Sequence, residues 1–381
     1  MRISYYVYYS FVTIVETLLR MFPFPAKTGY QKVGKPNKDS PVLLTCNFHL
    51  TILRLKKATK GLNYHLLVAN SKGINVWCAA TGDHLNNHSV ISVIKTSGIE
   101  NKVNHKKIIL PQLAAPGVDA KEIQKRIGWK VLWGPVDAKD IPEYFETNFE
   151  KTDLMREVEF KLVQRIEMAI MWTFLASALL MPIWGPLFKI EAAFLLAQIF
   201  LTYLLSLVSF PIFEKIFLKE VEKKKAFFTV GNLVVFLINL VYASIGVVLY
   251  VIVYQKDYSW ILLRWCIVSF LLVLVVNMEL KGSSSTYKSD SHADKLFDVA
   301  IDLEKCRGTG ICIEVCPRNC YKLDSKKSKI TMPRQKYCVQ CGACIVQCPF
   351  DALYFMNRKG DIIKPETIRK FKLNLMGKRV D

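Results

Sequence analysis

Acidic side chains are scarce in this sequence: 32 Asp and Glu stand against 52 Lys and Arg over 381 residues, a net charge of +20. That balance can mark a nucleic-acid binder. The lysines, however, gather in segments beside long apolar stretches, where anionic lipid accounts for them, so nucleic acid is not an expected partner. No Gly-x-Gly-x-x-Gly and no Walker loop follows any candidate strand, which leaves a nicotinamide, flavin or nucleotide site without a signal. Histidine is sparse, with six in all. His84 and His88, four apart, read as a solvated helical face rather than a metal site. Only three of the eleven cysteines lie outside Cys306–Cys348, and that crowding is unlike the disulfide framework of a small secreted domain.

The crowded cysteines carry the sharpest signal. Cys338-Val-Gln-Cys341-Gly-Ala-Cys344-Ile-Val-Gln-Cys348-Pro349 is the C-x2-C-x2-C-x3-C-P run of bacterial ferredoxins, in which three thiolates hold one iron–sulfur cluster and the fourth reaches a second. Upstream, Cys306-Arg-Gly-Thr309-Gly-Ile-Cys312-Ile-Glu-Val-Cys316-Pro317 repeats the run with threonine at the second ligand position. By the crossed rule, Cys316, Cys338, Cys341 and Cys344 form a full set for a [4Fe–4S] cluster, and Cys306, Cys312 and Cys348 are left with a three-thiolate site. That site is expected to hold a [3Fe–4S] cluster, a [4Fe–4S] cluster completed by another ligand, or nothing. Cys320 is a candidate fourth ligand, although it stands where the next strand should open. A zinc ribbon would not repeat C-x3-C-P twice, so the chain is expected to move electrons.

Length predicts two to three domains, and 51% hydrophobic residues beside a charge of +20 is an odd mixture for one soluble globule. The apolar excess lies in Met168–Phe188, Ala192–Phe213, Ala226–Tyr254 and Trp260–Leu280, each of the roughly 20 residues needed to cross a bilayer. The link Glu214–Lys225 carries Lys215, Lys219, Lys223, Lys224 and Lys225, whereas the links at Lys189 and Lys256 carry one lysine each. The positive-inside rule therefore predicts a multi-pass protein of the cell membrane with both soluble ends in the cytoplasm. Arg264, near the outer end of the fourth span, reads as a snorkelling anchor. Tyr5–Phe22 is apolar but broken by Glu16 and Arg20 and has no small-residue cleavage site, so it reads as an interfacial helix ended by Pro23 and Pro25 rather than a signal peptide.

Between residues 40 and 147, apolar runs at Val42–Cys46, Tyr64–Val68, Lys107–Leu110 and Lys130–Trp133 alternate with helical segments such as Leu50–Lys60 and Ala120–Arg126. The alternation predicts an open, doubly wound α/β sheet, which binds ligands beyond the carboxyl ends of its strands. At one such exit stands Gly73-Ile-Asn75-Val76-Trp77-Cys78-Ala79-Ala80. On residue type alone, a lone thiol among apolar neighbours is core packing.

Asn75–Ala80, together with Ile109-Leu-Pro-Gln-Leu-Ala-Ala-Pro-Gly-Val118 and Trp133-Gly-Pro-Val136, resembles the corrinoid-binding domain of the membrane-anchored mercury-methylating corrinoid proteins. Those are relatives of the corrinoid iron–sulfur proteins of the acetyl-CoA pathway. The family joins this domain to transmembrane helices and works with a separate two-cluster ferredoxin, so the present chain resembles the two proteins fused. The resemblance implies that Cys78 is the lower axial ligand of the corrinoid cobalt, and that Asn75, Val76, Trp77, Ala79 and Ala80 form the cap segment beside the cofactor. It also implies a methyl donor or upstream methyltransferase, a low-potential electron donor, and mercury(II) as methyl acceptor. The fused ferredoxin would restore low-valent cobalt, swinging on the Gly/Ser-containing linker Lys281–Lys295.

The chain also departs from that family. Thr81-Gly-Asp-His84 replaces the Gly-Lys that follows the family's cap motif, no cysteine follows Cys348, and Thr309 replaces a cluster ligand. The expected architecture is multi-domain: an interfacial helix and linker (1–39), a Rossmann-like corrinoid-binding α/β domain (40–165), a four-helix transmembrane bundle (166–281), a linker (282–296) and an α+β bacterial-type ferredoxin domain (297–381). Three functions remain open at this point: corrinoid-dependent methylation of mercury, a corrinoid methyl carrier with an acetyl-CoA-pathway-like acceptor, and a membrane electron-transfer protein without corrinoid.

Overall fold

The structure, a computed structural model, describes residues 2–188, 191–223, 230–254, 259–282, 286, 297–357 and 360–371. Two compact units result, one from Met1–Arg20 with Glu159–Ser291, the other from Met21–Val158 with His292–Asp381. Helix α1 (Arg2–Leu18) opens the chain in the first unit, where Val12, Glu16 and Thr17 are buried. It stops at Leu18, before either proline is reached.

The second unit begins with a five-stranded sheet. Strand β1 (Gly29–Val33) is followed by β2 (Val42–Cys46), helix α2 (His49–Ala58) and β3 (Tyr64–Ala69). Next come α3 (Val76–Thr81), α4 (Asn87–Thr96), β4 (Lys107–Pro111), α5 (Ala120–Ile127), β5 (Lys130–Gly134), α6 (Ile141–Glu146) and α7 (Asp153–Arg156). The order is β1-β3-β2-β4-β5, with β2 to β5 parallel. Every residue of β2 and β3 is buried, because helices cover both faces of a parallel sheet. Val42, Leu44, Leu67 and Leu110 turn to one core, and Leu43, Leu66, Val68 and Ile109 to the other. Strand β1 is a correction to the expected linker: Gly29 to Val33 pair antiparallel with Val68 to Tyr64 and protect the sheet edge.

Capping explains where the helices begin. Asp119 accepts from Lys121 N and Glu122 N at the start of α5, which Gly128 ends in the left-handed region at φ 73°.

The first unit continues with α8 (Leu162–Phe188), α9 (Ala192–Val208), α10 (Phe210–Lys223), α11 (Val230–Tyr254) and α12 (Ser259–Gly282). Among the described residues, three helical stretches are long and apolar enough to cross a membrane: Leu162–Pro182, Val230–Val253 and Leu262–Leu280. The expected second span is not straight. Helices α9 and α10 meet at 59°, and counted together they make up to four spans. Pro211 is the cause, since it offers no N–H and its ring crowds the preceding turn. The lysine-rich link is therefore helical through Lys223, and Phe213 and Phe217 are buried beneath it; Lys224, Lys225, Lys189 and Lys256 lie outside the described residues. Arg264 is not a lone anchor, for its guanidinium pairs with Glu191 at 2.6 Å, and Glu191 also accepts from Tyr250. Inside the bundle, Gln198 donates to Ala243 O and to Ser269 Oγ, and Ser206 to Asn239, so side-chain amides and hydroxyls join α9, α11 and α12.

The second unit resumes with β6 (Phe297–Ile301), α13 (Ile311–Val315), the hairpin β7 (Lys322–Asp324) and β8 (Lys329–Thr331), and α14 (Ala343–Gln347). Strands β9 (Leu353–Asn357) and β10 (Ile362–Ile363) and helix α15 (Pro365–Phe371) complete it. The antiparallel sheet runs β10-β9-β6. Helices α13 and α14 each start on a left-handed glycine, Gly310 and Gly342, both at φ 77°, so the sequence repeat is also a backbone repeat.

Candidate functional site

At the carboxyl edge of the larger sheet, β2 leads to β3 on one side, and the chain then crosses to β4 on the other, which makes β2/β4 the switch point where such folds bind ligands. Asn47, just past β2, accepts from Ser71 N, Ser71 Oγ and Gly73 N at 2.8 to 3.0 Å, tying the exits of β2 and β3 together. Phe24 N donates to Gly73 O and His49 N to Phe24 O, stitching the incoming segment across both exits. Gly73 sits at φ 72°, and a Cβ there would meet Pro25 N at 2.6 Å. A rigid floor results.

Helix α3 rests on that floor beside the turn that follows β4. Asn75 caps it by accepting from Cys78 N at 3.0 Å. Val76, Ala79, Ala80 and Thr81 are buried, whereas Trp77 and Cys78 are half-buried, so the thiol stands at the boundary of the core. Gly117 fits under the helix because a Cβ there would lie 2.5 Å from Ala80 O and 2.3 Å from Leu85 O. All six residues of the expected cap segment thus lie on one short element at the switch point.

In the ferredoxin-like part, Cys316, Cys338, Cys341 and Cys344 line one cavity together with Cys320 and Tyr321. Backbone and side-chain donors already point at the sulfurs: Gln340 N to Cys338 Sγ at 3.4 Å, Cys320 N to Cys316 Sγ at 3.4 Å and Tyr321 OH to Cys344 Sγ at 3.1 Å. Such donors tune cluster potentials and orient ligands. Cys320 hydrogen-bonds Cys316 and Cys338, which brings the Cys316 thiol down to about 7 and pushes its own thiol up. Cys320 therefore lies beside Cys316 and Cys338 of the full set.

Cys306, Cys312 and Cys348 form the other group. Burial first, then the neighbouring Cys348 and Cys306, pushes the Cys312 thiol up to about 12. Ala352 N donates to Cys348 Sγ at 3.3 Å, and Thr309 is exposed. Among the described residues no three His, Cys, Asp or Glu converge on a single ion. Thiols that each serve a different iron of a cluster need no such convergence.

The α/β and ferredoxin-like parts are docked, a feature the sequence did not announce. Gln347, buried between Cys344 and Cys348, donates to Ala115 O at 2.8 Å and Val118 O at 2.6 Å and accepts from Ala120 N at 3.3 Å. The ammonium of Lys151 donates to Gln112 Oε1, Gly134 O and Glu314 O. Burial pulls its pKa down to about 7 against the opposing attraction of Glu314. Arg369 of α15 reaches Cys348 O, Asp351 and, at 3.4 Å, the capping residue Asp119. Val158 exchanges hydrogen bonds with Pro317 O and Arg318. Val315 and Ala343 belong to the same apolar core as Val76 and Ala79, and Ile311 and Cys341 pack against it. A linker swing is thus unnecessary; of the expected linker 281–295, only 281, 282 and 286 lie within the described residues.

Comparison with known proteins separates the same two parts. Residues 20–145 match the family described as CO dehydrogenase/acetyl-CoA synthase delta subunit, and residues 305–352 the family described as 4Fe-4S dicluster domain. The chain is 37% identical over 126 residues to the acetyl-CoA decarbonylase/synthase complex subunit gamma of Methanothermobacter thermautotrophicus, covering 32% of this chain and 27% of that one. The corresponding subunit of Archaeoglobus fulgidus is 34% identical over 129 residues, covering 33% and 27%, and the gamma 2 subunit of Methanosarcina mazei 35% over 131 residues, covering 33% and 27%. The chain therefore spans about a quarter of the length of these relatives, and the similarity lies in one third of the chain.

Proposed function

We propose that the chain is a corrinoid-dependent methyl carrier and methyltransferase that contains its own electron relay. The observation that carries this reading is Cys78, a half-buried thiol on a capped helix at the switch point, inside the same compact unit as the cluster cysteines. The similarity of residues 20–145 to subunits named for acetyl-CoA decarbonylase/synthase complexes supports the carrier function more directly than it supports mercury as acceptor.

A bound corrinoid would supply a cobalt that accepts and gives up a methyl group. Cys78 would hold that cobalt through a soft, strongly donating sulfur. Asn75 fixes the helix that presents the thiol, while Ala79, Ala80 and Gly117 keep its underside thin. Cys316, Cys338, Cys341 and Cys344 would hold a [4Fe–4S] cluster, and Cys306, Cys312 and Cys348 a second, three-iron one, which together pass single electrons toward the corrin. The methyl donor and the electron source are separate partners in this scheme.

Anaerobic purification with cobalt and iron analysis tests the reading. About one cobalt per chain is expected. Cys78→Ala should lower methyl transfer by more than about a hundredfold, since even outer-shell changes cost 10- to 100-fold, and should leave the iron content intact. A cobalt-free protein, or full activity with an unchanged cobalt spectrum in Cys78→Ala, would sink it. The residue type at Cys78 favours a soft metal acceptor as a second reading, because sulfur ligation of cobalt would donate electron density that suits transfer to an electrophile such as mercury(II). Cys78→His, which can still bind cobalt, should then lose transfer to mercury(II) while retaining corrinoid.

The helical unit, in the same proposal, anchors the chain in the lipid of the cell membrane with four crossings and both soluble parts cytoplasmic. The apolar stretches of α8, α11 and α12 and the lysines of α10 support this. Reporters fused after Lys225 and after Asp381 should both read cytoplasm; opposite sides would require a different span count.

A further inference from the structure

The two cysteine runs present their equivalent positions to different surroundings. Cys341, second in its run, packs against the apolar core shared with the α/β part. Thr309, at the same place in the other run, is exposed. The Cys341 side of the ferredoxin-like fold is covered by the α/β part, and the loop around Thr309 forms an edge that faces solvent, although Ile311 and Val315 of the same run pack into the shared core.

That solvent edge is basic. Lys305 and Arg307 flank Thr309 and are exposed. Gly308 lies against the β7–β8 turn so closely that a Cβ would come 2.4 Å from Ser328 O, which brings exposed Lys326 and Lys327 beside the Thr309 loop. Lys329 clamps the loop by donating to Cys306 O at 2.6 Å. Leu323, 49% exposed, touches the Gly308 position and supplies an apolar spot among the charges. Of the acidic residues nearby, Asp302 pairs with Lys305 Nζ at 3.3 Å, Asp324 accepts from Lys326 N and Lys327 N, and Glu304 is exposed, so the basic excess of the face comes chiefly from Arg307, Lys326 and Lys327.

We propose that the basic face around Thr309, built by Lys305, Arg307, Lys326 and Lys327 about Leu323, is the docking site of an acidic, low-potential electron-donor protein. Electrons would then enter at the Thr309 edge and leave at the Cys341 edge toward the α/β part. Positive charge around a small apolar spot is what a weak, electrostatically steered electron-transfer partner meets. In each encounter the donor cluster is oxidised by one electron and a cluster of this chain is reduced by one; no bond forms or breaks. The assignment rests on the electron-carrying part of the proposed function alone, so cluster reduction reports it whether or not cobalt is present.

The test uses the full chain in detergent, with a small acidic two-cluster ferredoxin reduced by limiting dithionite as donor and bleaching of this chain's clusters as readout. In the wild type the second-order rate should fall steeply with added salt. The double variant Lys326→Glu/Lys327→Glu, confined to an exposed turn, should slow reduction by about tenfold or more at low salt. Reduction by the methyl viologen radical cation should be no slower in the variant than in the wild type. A change under twofold with the acidic donor, a salt-independent wild-type rate, or an equal loss with methyl viologen overturns the assignment. So does competition by anionic lipid vesicles that abolishes reduction at concentrations at which neutral vesicles do nothing, because the face would then belong to the bilayer.

Discussion

The runs Cys338–Cys348 and Cys306–Cys316 share spacing, a left-handed glycine at the same φ and a short helix that carries the third ligand position and ends just before the fourth, yet their surroundings differ. Around the first, the Cys320 thiol hydrogen-bonds Cys338, the Tyr321 hydroxyl donates to Cys344 Sγ, and Cys341 is packed against a neighbouring core. Around the second, the ligand position is a threonine in solvent beside lysines. Identical spacing places sulfur atoms. What surrounds them decides whether a site is sealed or open, and so which end of a relay it can serve.

The largest effect that would sharpen this contrast is on iron content. Cys344→Ser should remove about four irons per chain, because that buried cysteine belongs to a full set of four with no spare position on its iron, whereas Thr309→Ala should change the iron count by less than one. Thr309→Cys should convert a three-iron resonance in the oxidised protein into a four-iron signal on reduction. Loss of the same number of irons from Cys344→Ser and Thr309→Ala would erase the distinction between the two sites.

A smaller effect is expected at the α/β contact, where the runs differ at the residue before their last cysteine: Gln347 in one, Val315 in the other. Gln347→Ala leaves Ala115 O, Val118 O and Ala120 N without their partner and should cost about 1–3 kcal/mol of the stability linking the two parts. Hydrogen exchange at residues 115–120 should quicken in that variant and not in Val315→Ala. Equal exchange in both variants would mean that apolar packing alone holds the contact.

The last effect is a pH slope from Lys151, which joins the backbone of Glu314, between Cys312 and Cys316, to the α/β part. Its pKa is lowered on folding to about 7, so the unfolded chain binds more protons between that value and the ordinary lysine range. Its contribution is complete above the unfolded pKa and is lost as pH falls through about 7. Unfolding free energy should rise across that window by at most about 1.4 kcal/mol per pH unit. Lys151→Met should flatten the slope in denaturant titrations at pH 6 to 9; an unchanged slope would show that the amine keeps an ordinary pKa.

Much of this was legible in the sequence, and the rest was hidden for identifiable reasons. The four parallel strands stood out because burial on both faces makes each a mostly apolar run, and the cluster cysteines because their spacing is short-range. Strand β1 was hidden because Gly29-Tyr-Gln-Lys-Val33 is an edge strand with a mostly polar sequence, paired with residues more than thirty positions away. The bend at Pro211 was written plainly, yet an apolar run of adequate length obscured it. Cys320 could not be assigned to a site by counting, because its place follows from how the chain turns after Pro317. Arg264 looked like an anchor until Glu191, 73 residues earlier, supplied its partner. The docking of the α/β and ferredoxin-like parts had no local signature, since Gln347 and its acceptors are 229 and 232 residues apart.

Gly117 gives that docking a kinetic meaning. On one side the glycine lies against Ala80, two residues from Cys78; on the other, its neighbours Ala115 and Val118 hold Gln347, the residue before Cys348. The separation between the thiol-bearing helix and the cluster-bearing helix is thereby set by atoms in contact rather than by diffusion of a tethered domain. An electron crossing that gap should be indifferent to solvent viscosity and to extra residues inserted in the segment 282–296. Joining the two modules in one polypeptide would then serve to guarantee their one-to-one assembly, and the tempo of transfer would depend on tunnelling through a fixed wall.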